Sequence, residues 1–165
     1  VSELKNLLIF QIAQYKNSSF SLKELTIDNL EFIDSSKVIN NKNTRILWNG
    51  PRNWLLVSTN NNLIKEINQK FLEKDFAVTD ISHSKAVIQL EGNQAKEVLK
   101  KGCPFNFNDL NKDNCINSIF NGMSITVDMI DGNPEKFRIF ALRSFGESLY
   151  HSITDACLEF GYIGK

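Results

Sequence analysis

Apolar residues recur along this chain in short alternating runs broken by polar turns. Three times such a run is followed by a segment of helical spacing. The first unit joins Thr44–Trp48 to Trp54-Leu55-Leu56-Val57 across Asn49-Gly50-Pro51-Arg52, which is turn chemistry between two runs of strand formers. Leu63, Ile64, Ile67 and Phe71 then recur at helical spacing after an Asn60–Asn62 cluster. The second unit starts with Phe76–Ser82 and continues with Ala86, Ile88 and Leu90 alternating with polar neighbours. Gly92 ends that strand, Asn93 is placed to cap a short helix over Ala95, Val98 and Leu99, and Gly102 follows at C′. The third pairs Met123–Ile130 with Phe137–Leu142 across Asp131-Gly132-Asn133-Pro134, a hairpin signal. The last helix opens on a capping box, Ser144 with Glu147, and carries a stripe of Phe145, Leu149, Ile153, Ala156 and Phe160 up to Gly161.

Strands joined by hairpins and interleaved with helices predict an α+β fold: antiparallel or mixed sheets, three main helices, two small α/β lobes with a possible division at 1–75 and 76–165. The first forty residues predict one strand near Leu7–Gln14, a short helix near Leu22–Leu25 and a strand near Glu31–Ile39. No repeat and no low-complexity segment interrupts the chain.

Composition narrows the function. The 165 residues are 42% apolar and 23% charged, and 19 basic side chains balance 19 acidic ones. A neutral chain with scattered charge argues against nucleic acid or an anionic membrane as partner. No apolar run approaches the ~20 residues of a membrane span, and Val1–Tyr15 lacks the basic start and cleavage site of a signal peptide. Cys103, Cys115 and Cys157 are widely spaced and form no CxxC. They predict reduced, partly buried thiols in a cytoplasmic protein, with neither a disulfide framework nor a zinc site.

Asp80-Ile81-Ser82-His83 holds the three residue types of a hydrolytic triad, but on a strand Asp80 and Ser82 share a face and His83 points to the other. Turn hydrogen bonds at a strand–strand corner are the expected role. His151 and Asp155 lie four apart on the last helix and predict a solvated pair. No GxGxxG follows a strand and no P-loop occurs. On residues alone the chain has no catalytic, cofactor-binding or metal-binding constellation. At the start of the last helix, Arg143, Phe145 and Tyr150 cluster a guanidinium with aromatics, as interface anchors do. The alternative is that Arg143 pairs with a local carboxylate and Tyr150 lies on the surface.

Four segments resemble, in order, the gamma-subunit family of heterotetrameric sarcosine oxidase. Trp48-Asn49-Gly50-Pro51-Arg52-Asn53-Trp54-Leu55-Leu56-Val57 is similar to a W-x-G-P-x-x-W-L-L-V segment. Thr79–Ser84 resembles a D-x-S-H strand, and the strand-to-helix run from Ile88-Gln89-Leu90-Glu91-Gly92 through Lys101-Gly102-Cys103-Pro104 a G-x-x-A-x-x-x-L-x-K-G-C-P pattern. Arg143-Ser144-Phe145 through Gly161 resembles an R-S-F … D-A … E-F-G ending. One departure is Asn117-Ser118, where the resemblance leads one to expect Thr-Arg. The family is distantly similar to folate-binding aminomethyltransferases. The resemblance implies a non-catalytic structural subunit of a bacterial complex that oxidises sarcosine to glycine and passes the methyl carbon to tetrahydrofolate. It places FAD, FMN, NAD, tetrahydrofolate and zinc on the alpha, beta and delta partners, and none of them on this chain. The aminomethyltransferase likeness implies as the alternative an independent folate-binding or C1-transfer module.

Overall fold

A computed structural model describes residues 1–33, 35 and 37–164. In chain order the strands are β1 (Ser2–Glu3), β2 (Leu8–Gln14), β3 (Thr26–Ile27), β4 (Leu30–Glu31), β5 (Ile39–Asn40), β6 (Thr44–Gly50) and β7 (Asn53–Ser58). Helix α1 (Leu63–Lys70) leads to β8 (Phe76–Asp80) and β9 (Lys85–Glu91), and α2 (Ala95–Lys100) to β10 (Cys115–Phe120), β11 (Met123–Gly132) and β12 (Glu135–Leu142). Helix α3 (Gly146–Cys157) follows. The chain forms two compact units, Asn6–Ser82 and, flanking it in sequence, Val1–Lys5 with His83 onward. Among the described residues the fold is α+β with antiparallel sheets and three α-helices.

The middle unit is a sheet ordered β5-β6-β7-β2-β8. Alternation puts Phe10, Ile12, Ile46, Trp54 and Leu56 into one core with Leu63 and Ile67 of α1. Edge-to-face aromatic pairs lace it, among them Phe32–Trp54 at 5.4 Å and Phe71–Phe76 at 5.2 Å between ring centres. The Trp54 indole N–H donates to the Ile33 carbonyl at 2.7 Å, satisfying its polar end. Ile64 stays exposed, so the α1 stripe is narrower than its spacing suggested.

The expected strand over Glu31–Ile39 is replaced by two short pieces, β4 and β5; Asp34 and Ser36 lie outside the described residues. Leu30 turns back onto β3 through Asp28 and Asn29, both at positive φ, and this hairpin diverts the chain. The short helix expected near Leu22–Leu25 is a single 3₁₀ turn, Leu22–Glu24.

The flanking unit is a sheet ordered β1-β9-β12-β11-β10. Ile125, Val127 and Met129 share its inner face as expected, and α2 and α3 complete the core through Val98, Leu99, Leu149 and Ile153. Three local expectations about these helices are corrected. First, Ser144 makes no cap: a 3₁₀ turn over Arg143–Phe145 precedes α3, and Glu147 points to solvent. The turn is fixed instead by the Arg143 N–H donating to the Ser84 carbonyl at 2.8 Å. Second, Phe145 and Phe160 lie outside the buried stripe, at 41% and 38% exposure, so Leu149, Ile153, Ala156 and Cys157 carry the packing. Third, α2 is capped by Glu135 of β12, whose carboxylate accepts from the Lys96 N–H at 2.8 Å, and not by Asn93. Gly102 does stand at C′, directly after the C-cap Lys101, though without a left-handed φ: a Cβ there would stand 2.7 Å from the ring of buried Phe120, so close packing demands the glycine.

Candidate functional site

The Asp80–His83 segment leaves β8 and turns. The Ser82 N–H and hydroxyl both donate to the Asp80 carboxylate, at 2.9 and 2.6 Å. The same hydroxyl oxygen accepts from the Ile9 N–H at 2.9 Å, fixing the turn to β2. In a hydrolytic triad the imidazole stands between hydroxyl and carboxylate. Here the carboxylate holds the hydroxyl directly, so Asp80 and Ser82 make a turn, and the His83 side chain is exposed.

His151 and Asp155 do not pair as the spacing suggested. The imidazole Nε2 of His151 lies 3.7 Å from Glu147, one turn back on α3, with both groups solvated. Among the described residues no group of three His, Cys, Asp or Glu stands close enough to ligate a metal. The three cysteines are buried and take part in no disulfide. Burial pushes the Cys103 thiol up to about 11 and raises that of Cys157. Thiols so poorly ionised at neutral pH are poor nucleophiles.

The Arg143, Phe145 and Tyr150 cluster forms a solvated corner of the flanking unit. Arg143 reaches the Glu3 carboxylate at 3.3 Å, and its side chain is 55% exposed. Phe145 projects outward beside it in sequence, and Tyr150 is half-buried against the core. Glu3 and Tyr150 line a hollow of about 410 Å³ floored by Ala86, Ile88 and Gly146. A larger concavity of about 670 Å³ opens between β1, the end of β9, α2 and residues 157–163.

Two features escaped the sequence reading. Glu3 lies 140 positions from Arg143, and no local pattern links them. Asp128 is fully buried opposite Arg138 in the β11–β12 register; the visible signal was one carboxylate inside the apolar run Ile125–Ile130.

No protein-family model matches the chain. Over 120 residues it is 31% identical to sarcosine oxidase subunit gamma of Corynebacterium sp. (strain U-96). The chain is a gamma-subunit-like protein. The match takes in 71% of this chain but 58% of the relative, so the chain spans little more than half the length of that protein. The fold agrees. A chain in the heterotetrameric sarcosine oxidase of Corynebacterium sp. U-96, solved with pyrrole 2-carboxylate, superposes with a TM-score of 0.84 at 23% identity. That likeness covers 98% of this chain and 84% of the other. The glycine cleavage system aminomethyltransferase T of Bartonella henselae shares the fold at a TM-score of 0.67 and 14% identity, over 92% of this gamma-like chain and 44% of the enzyme. Among the described residues no helix is long and apolar enough to cross a membrane.

Proposed function

We propose that this gamma-like chain is an assembly subunit of a heterotetrameric sarcosine oxidase, contributing shape and contacts rather than reacting groups. One observation carries the reading: sequence and fold both match subunits of that enzyme, the sequence over 120 residues and the fold over nearly the whole chain. The residue chemistry supports it. Ser82 is committed to a turn, and the cysteine thiols of Cys103 and Cys157 are held in their neutral form.

In this reading the alpha, beta and delta partners bind FAD, FMN, NAD, tetrahydrofolate and zinc. The complex demethylates sarcosine oxidatively in a bacterial cytoplasm and passes the methyl carbon to tetrahydrofolate. The corner of Arg143, Phe145 and Tyr150 faces a partner, because a guanidinium and an exposed phenyl ring on a fixed backbone turn make an interface anchor.

The test is a tagged chain purified from its own host under mild conditions. Three unlike partners, flavin absorbance in the assembled fraction and sarcosine-dependent turnover are the expected result. A chain that elutes alone, or one that carries flavin by itself, overturns the proposal. A second reading, a folate-binding module, draws on the aminomethyltransferase fold. Calorimetry of the isolated chain with tetrahydrofolate decides it: micromolar binding favours the module, and no heat favours the assembly subunit.

A further inference from the structure

We draw no further inference here: the strongest candidate, the concavity of about 670 Å³ between β1, the end of β9, α2 and the segment after α3, carries nothing because nothing in the structure shows what fills or covers it.

Discussion

The ammonium of Lys101, one residue past α2, donates to the carbonyl oxygen of Ala156 near the end of α3 at 2.7 Å. It reaches the Glu159 carboxylate at the same distance, and the Phe160 ring lies 4.8 Å away. A positive charge on the last carbonyls of a helix satisfies acceptors that the helix itself leaves open. Lys101 therefore clamps the two helices of the flanking unit by their ends. Lys101→Met removes the donor while keeping most of the stem. It should lower stability by about 1–2 kcal/mol in urea titrations, with Lys101→Arg recovering part of the loss. A midpoint unchanged by Lys101→Met would show that the exposed portion of the network screens away its worth.

Gly102→Ala tests the approach of α2 to β10. The added methyl would meet the ring of a fully buried Phe120 at 2.7 Å, closer than van der Waals contact allows. Overpacking of this kind costs about 1–3 kcal/mol. Gly102→Ala should therefore destabilise the free chain on thermal melting, and a second change, Phe120→Leu, should recover part of the loss. If the double variant is no more stable than the single one, the glycine is needed for another reason.

The D-x-S-H turn separates two neighbours by role. Ser82→Ala leaves the Ile9 N–H without its acceptor and should cost about 1–2 kcal/mol. His83→Ala changes an exposed side chain and should stay within about 0.5 kcal/mol. Chemical denaturation of both variants makes the comparison. Equal losses would place His83 in the fold, and loss of turnover in an intact complex carrying His83→Ala would place it in the chemistry.

Arg143→Ala addresses the interface. Its ion pair with Glu3 is solvated on both sides, so the free chain should lose little on melting. Assembly with the partner subunits should weaken by about 2 kcal/mol or more if the guanidinium is an anchor. A pull-down beside a thermal melt reads both quantities. Intact assembly with a lowered melting temperature would assign Arg143 to the fold alone.

Cys103 predicts an alkaline limb of stability. Its thiol ionises near 11 in the folded chain because burial disfavours the thiolate, against an ordinary value of 9.0. The unfolded chain thus gives up this proton first as pH rises. The contribution is complete below about pH 9 and is lost progressively toward 11. Comparing wild type with Cys103→Ala across that window isolates this contribution from Lys and Tyr titration. A difference that stays flat from pH 8 to 11 would contradict the buried neutral thiol.

The strand pattern was legible because it is local. Alternation in Ala86–Leu90 and Ile125–Met129 gave the correct inner face, and Asn49-Gly50-Pro51-Arg52 gave the correct turn. The last-helix stripe was legible in its centre and failed at both ends. Periodicity records which residues share a face, while burial at Phe145 and Phe160 depends on how far the sheet extends beneath them. Helix caps failed for a related reason. Ser144 and Asn93 are good caps by type, yet the groups that hold these termini, Glu135 and the Ser84 carbonyl, come from distant segments. The motif order carried the family likeness, because a resemblance of spacing survives where single contacts cannot be read. The Glu3–Arg143 pair shows the limit: surface charges brought together across 140 positions leave no trace in either neighbourhood.

Strand β1 pairs with β9, so the flanking unit takes its edge strand from chain that precedes the whole of Asn6–Ser82 in sequence. For a chain emerging from the ribosome this sets an order of events. Asn6–Ser82 is contiguous and can close as soon as it is synthesised, while Ser2–Glu3, made earlier, must wait unpaired until Ile88 and Gln89 appear. Ser2–Glu3 are made before the whole of Asn6–Ser82 and yet are among the last residues of the flanking unit to find their place.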